Sequence, residues 1–180
     1  MASPGNRRPA IVTAAVMVAG SLAWIAGISI SGLEGTRGFF GPGPLIADAN
    51  LILEFFLVAG VSYGFLLARR GNIEAHQINQ TTWVALNLGL IALVMAGSMQ
   101  DVKIARTADL ADWRIAVTWL HAAAGTLTAA AGLWIVLQMN NVLPAGLHVG
   151  GWRKLMRAAL AGYWLTALLG FLTYYFWYIA

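Results

Sequence analysis

Cysteine is absent from the chain. Its absence excludes disulfides, zinc–thiolate sites, thiolate-held iron–sulfur clusters and haem attached through Cys. Charge is scarce as well: 11 Lys and Arg with 7 Asp and Glu make up 10% of the residues, against about 25% in a soluble domain. The net charge of +4 is spread among loops and forms no nucleic-acid patch. There is no glycine-rich phosphate loop, no HExxH zinc pattern, no G-x-S-x-G elbow and no paired-carboxylate arrangement. No internal repeat or pair of broken helices points to a transporter.

Apolar sequence fills the space that charge leaves. The 180 residues are 59% hydrophobic, with mean hydropathy +0.71. A chain this apolar cannot cover itself with polar surface, so its solvent is largely lipid. Apolar runs of spanning length occupy Ala10–Ser31, Leu45–Ala68, Thr81–Met99, Trp113–Met139 and Leu155–Ala180. Each reaches the ~20 residues that cross a bilayer. The expectation is one all-α domain over 1–180, an integral membrane bundle of five transmembrane helices. The N-terminus has the basic start of a signal peptide, but its apolar run is too long and lacks a clean cleavage site. It reads as a retained first helix.

Basic residues set the expected topology. Arg7 and Arg8, Arg69 and Arg70, and Arg153, Lys154 and Arg157 fall on one side of a chain that weaves back and forth. On the other side Arg37, Lys103, Arg106 and Arg114 are diluted by Glu34, Asp48, Asp101, Asp109 and Asp112. The positive-inside rule puts the N-terminus in the cytoplasm and the C-terminus outside, with Trp113, Tyr174, Tyr175, Trp177 and Tyr178 in an outer interfacial belt. The glycine- and proline-rich first outer loop, GLEGTRGFFGPGPL, is expected to be irregular.

The polar stretch RRGNIEAHQINQTTWVALN, Arg69–Asn87, is where chemistry or packing concentrates. His76, Gln80, Trp83 and Asn87 recur at helical spacing and share one face. Small residues recur every fourth position in the first run, at Ala15, Ala19, Ala23, Gly27 and Ser31, and the second run holds Gly60 and Gly64. Such rows allow close helix approach in lipid, and packing within the bundle is the favoured role over docking of a partner.

Ionisable groups inside spans are costly and count as functional candidates. Glu54, with Asn50 four residues earlier and Asn87 on the polar row, is a candidate for a proton path or a polar contact. His121 lies ~12 Å along the fourth run at 1.5 Å per residue. Gly125, Thr128 and Gly132 follow on its face, an arrangement that suits a porphyrin with His121 as axial ligand. An imidazole also suits copper, and Met95 and Met99 near the end of the third run are candidate metal ligands beside it. His76 is a second candidate cofactor ligand on the opposite side, with His148 on that same side. A satisfied structural histidine and core methionines are the competing account.

The runs RRGNIEAH and WRKLMRAALAGYWLTALLGFLTYY, with His121 and an Asn-containing second span, resemble the bacterial membrane family catalogued as domain of unknown function 420. The resemblance covers about Leu45 to Tyr178. It implies five spans, four histidines and a link to assembly of haem-copper terminal oxidases. His76 and His121 fall on two of the family histidines. Ser98 and Trp152 stand where the other two are expected.

Two functions are therefore carried forward. One is an accessory or assembly protein of a respiratory redox complex in the bacterial inner membrane, holding haem or copper. The other is a cofactor-free structural subunit that docks against other membrane protein subunits.

Overall fold

A computed structural model describes residues 7–96 and 111–180. It is all-α, with five helices long and apolar enough to cross a bilayer. These are α1 (Arg7–Ile30), α2 (Leu45–Arg69), α3 (Ile73–Leu90, continuing as a π-helical stretch through Ile91–Met95), α4 (Trp113–Met139) and α5 (Trp152–Tyr178). Phe55 and Leu127 are 75% and 73% exposed. Large apolar groups facing outward from mid-helix belong against lipid, and the chain is a multi-pass membrane protein.

The expected spans stand, with one boundary well displaced. α3 opens at Ile73 rather than Thr81, because the polar stretch is helix. Gly71, at φ +75°, turns the chain out of α2. The Asn72 side chain then accepts from Ala75 N–H at 3.2 Å and caps α3. The polar residues that follow lose no backbone bonds by being helical, and their side chains find partners on α2.

Helices alternate in direction. Gln77 Nε2 near the start of α3 donates to Met139 O at the end of α4, 2.7 Å. Trp177 Nε1 near the end of α5 donates to Thr118 Oγ1 near the start of α4, 2.9 Å. Arg69, Arg70, Arg153, Lys154 and Arg157 therefore share one end of the bundle, and Asp48, Thr118 and Tyr174 lie toward the other. The loop at the basic end is tied down by Gln138, whose Nε2 donates to Val149 O while its Oε1 accepts from Val149 N–H.

α2 and α3 form the centre, α4 and α5 pack on each other to one side, and α1 lies against α3 and α2. Two apolar clusters fill the interior. Ile25 and Ile28 of α1 meet Ala49, Leu53, Leu86 and Leu90, while Leu57, Val58 and Val61 of α2 meet Tyr163 of α5. Only the second half of α1 is held this way. A groove of about 570 Å³ lies between its first half and α3, lined by Ala15, Val18 and Ala19 on one side and Ile78 and Thr81 on the other.

The small-residue rows part company here. Gly60 and Gly64 face α3, as expected of bundle packing: a methyl at Gly60 would enter the Trp83 indole, and one at Gly64 would meet Asn79 and Gln80. The α1 row does not pack. Ala15, Ala19, Ala23, Gly27 and Ser31 are all exposed, and nothing lies within 4 Å of where a Gly27 methyl would stand. Its periodicity is right for packing, but Ile25 and Ile28 take the inward face and turn the row outward.

Candidate functional site

Polar side chains line the bundle interior at three levels. At the basic end, the polar row of α3 is spent on α2 backbone. His76 Nδ1 donates to Gly64 O at 2.8 Å, Asn79 Nδ2 to Gly60 O at 2.8 Å and Gln80 Nε2 to Val61 O at 3.1 Å. Trp83 Nε1 donates to Asn79 Oδ1 at 3.2 Å. A carbonyl only accepts, so His76 Nδ1 carries the proton. His76 is buried and has this structural partner, while exposed His148 bonds Leu143 O in its own loop. The two histidines have separate backbone partners, which leaves the basic end a seam between helices.

At the middle level lies the pair that the sequence flagged on separate helices. Glu54 Oε1 of α2 is 3.6 Å from His121 Nε2 of α4. His121 Nδ1 donates to Thr166 O of α5 at 3.0 Å, which turns Nε2 toward the carboxyl group. Gly170 of α5 provides the room: a methyl there would stand 2.6 Å from Glu54 Oε2 and 3.0 Å from His121 Cε1. Glu54 thus finds His121 as its partner. Asn50, one turn away, keeps a buried Oδ1 that has no hydrogen-bond partner.

Beside this pair is a cavity of about 20 Å³ lined by Glu54, Asn87, Met95, Thr128, Tyr163 and Thr166. Asn87 Nδ2 reaches Tyr163 OH at 3.5 Å across it. That volume accommodates one water and nothing larger.

The groove proposed for a porphyrin along α4 is filled by α5. A methyl at Gly132 would stand 2.8 Å from Tyr163 OH, and one at Gly125 would stand 3.3 Å from the Thr166 methyl. These glycines admit a neighbouring helix rather than a flat ring, so the residues present do not fit a haem beneath His121. For a metal, Met95 shares the cavity wall with Glu54, and Met99 lies outside the described residues. Among the described residues no group of three or more His, Cys, Asp and Glu converges.

The third level is a knot at the Asp48 end. Asp48 is fully buried. Its Oδ1 accepts from Tyr174 OH at 2.5 Å, and its Oδ2 accepts from Phe40 N–H at 2.7 Å. The first loop folds over it through Gly38 N–H to Gly43 O, 2.9 Å, and Leu45 N–H to Thr36 O, 2.7 Å. Neither Gly38 nor Gly43 has room for a side chain against Asp48 and Tyr174. Two expectations are corrected here. Asp48 is an interior anchor and not a loop charge diluting the basic residues. Tyr174 turns inward to it; of the expected belt, Tyr175, Trp177 and Trp113 are exposed and Tyr178 is half-buried.

Comparison with protein-family models, with curated proteins and with solved structures returns no match.

Proposed function

We propose that this protein is a cofactor-free accessory subunit of a larger membrane complex, docked through the outward face of α1. The observation that carries this reading is the exposed row Ala15, Ala19, Ala23, Gly27 and Ser31. Lipid supplies no hydrophobic force between helices, so association rests on close backbone approach, and a small residue every fourth position permits it. The row is continuous with the groove between α1 and α3, where Ala15 and Ala19 already form one wall. The site geometry supports the same reading, since the polar groups at the basic end serve helix seams and the α4 glycines admit α5.

The resemblance of RRGNIEAH and of the α5 sequence to a family linked to oxidase assembly supports a respiratory complex as the host. The cluster of Arg69, Arg70, Arg153, Lys154 and Arg157 supports an N-terminus in the cytoplasm of a bacterial inner membrane and a C-terminus outside.

Leucine at both Ala23 and Gly27 tests the docking face. Those positions are exposed, and the isolated protein is expected to melt within about 1 kcal/mol of wild type, the scale of helix propensity at Gly. The chains that co-purify with the wild type from mild detergent should be lost. An unchanged partner set, or a Soret band in the purified wild-type protein, overturns the proposal.

A further inference from the structure

Glu54 and His121 play no part in a docking face on α1, and their geometry goes further than helix packing requires. We propose that Glu54 and His121, together with one water in the adjoining cavity, form a site that holds a single exchangeable proton within the membrane.

His121 Nδ1 is occupied by its bond to Thr166 O, so in the neutral ring the lone pair is on Nε2, facing Glu54 Oε1 at 3.6 Å. An unpaired carboxylate at this depth is strongly disfavoured. One proton between the two groups keeps the pair neutral in either arrangement. It sits on the Glu54 carboxyl beside a neutral imidazole, or on Nε2 as an imidazolium beside a carboxylate. Transfer breaks one O–H bond and forms one N–H bond, and no electrons change hands.

The cavity supplies the means of exchange. A buried water needs two to four polar partners. Thr166 lines this cavity with Glu54, Asn87 and Tyr163, and its buried Oγ1 has no hydrogen-bond partner. A water there satisfies the hydroxyl and touches the carboxyl group. Asn50 Oδ1, also buried and unpartnered, lies one turn of α2 from Glu54 toward the Asp48 end. On the other side the amides of Asn79 and Gln80 are engaged with α2 carbonyls. Among the described residues, the unfilled hydrogen-bonding capacity therefore lies at the pair and toward the Asp48 end.

Among the described residues, the titratable groups around Glu54 are few. α4 presents His121, and α5 presents Tyr163 across the cavity and Tyr174 farther along, bonded to Asp48. α3 contributes Asn87 and Met95 to the cavity, neither of which titrates. In α1 the titratable residues are Arg7 and Arg8, at its far end.

Infrared difference spectroscopy on the full chain in lipid nanodiscs, between acid and alkaline buffer, tests the proposal. Wild type is expected to show a carboxylic-acid C=O band and an imidazole ring band that change together. Glu54→Gln should remove both, and His121→Gln should remove the imidazole band and displace the carboxyl band. Thr166→Val keeps the backbone carbonyl that His121 uses, so it should retain both bands and shift only the C=O frequency through loss of the water. Gly170→Ala, which places a methyl between the two groups, should uncouple the bands and serves if a polar variant fails to fold. An imidazole band unchanged in Glu54→Gln, a carboxyl band unchanged in His121→Gln, or no carboxyl band in wild type overturns the proposal.

Discussion

Replacing Asp48 with Ala is expected to destabilise the protein by roughly 2–6 kcal/mol, the largest loss for any single truncation of a polar side chain. The substitution strands two buried donors, Tyr174 O–H and Phe40 N–H, and each unmade bond costs about 1–3 kcal/mol. No water replaces the carboxyl group easily, because Gly38 and Gly43 close the loop tightly around it. Tyr174→Phe removes one partner and leaves the Phe40 bond, so a smaller loss of about 1–3 kcal/mol is expected. Asp48→Asn keeps an acceptor for Tyr174 and should fall below both. Thermal or denaturant unfolding in detergent micelles ranks the three. Protease cleavage at Arg37 should accelerate in the same order, because the loop that carries it is folded over Asp48. A loss under about 0.5 kcal/mol for Asp48→Ala, the scale of an ordinary surface change, would mean that the knot does not exist.

The second large effect is expected at Gly60. Its α-carbon faces the Trp83 indole, which is held by the bond from Nε1 to Asn79 Oδ1, and a side chain there has nowhere to go. Gly60→Leu should cost about 3 kcal/mol from overpacking. The bond from Asn79 to Gly60 O, worth about 1 kcal/mol, would be lost as the helices separate. Gly60→Ala should cost less, since alanine regains about 1 kcal/mol of helix propensity. Trp83→Leu removes the ring atoms in the way, so the pair Gly60→Ala with Trp83→Leu should be more stable than the two single losses sum to. Interaction energies of about 0.5–3 kcal/mol are normal for residues in contact. Strict additivity in unfolding measurements would show that the two helices do not meet at this point.

Sequence periodicity reached some of this structure and stopped at identifiable places. Five spans followed from apolar length, because a bilayer sets a fixed requirement that composition alone can meet. The shared face of His76, Gln80, Trp83 and Asn87 followed from spacing. Its purpose did not, since the bonds of His76 and Gln80 go to backbone carbonyls that every helix possesses. The same polarity kept the apolar run from reaching back before Thr81, although α3 begins at Ile73. Spacing also identified the row from Ala15 to Ser31 but could not say which way it points. Ile25 and Ile28 decide that by packing on Leu86 and Leu90.

Partners distant in sequence were the hardest to read. Glu54 and His121 were each conspicuous as an ionisable group in a span, yet nothing local joins them. Thr166 and Gly170, which orient the pair and make room for it, look like ordinary α5 residues. Asp48 sits at the first turn of α2, where an acidic residue favours the helix N-terminus anyway. No feature of the neighbouring sequence indicates that it is buried.

The Asp48 knot has a consequence for biosynthesis. Its hydroxyl donor is 126 residues downstream, so the ribosome has delivered four helices before Tyr174 emerges. Until then the carboxyl group at the head of α2 must stay wet, held near the membrane surface or by the insertion machinery. The first loop cannot take its final shape in that interval. Arrival of the last span therefore acts as a latch, and a nascent chain stalled before Tyr174 should present an open loop that quality-control proteases can distinguish from the finished protein.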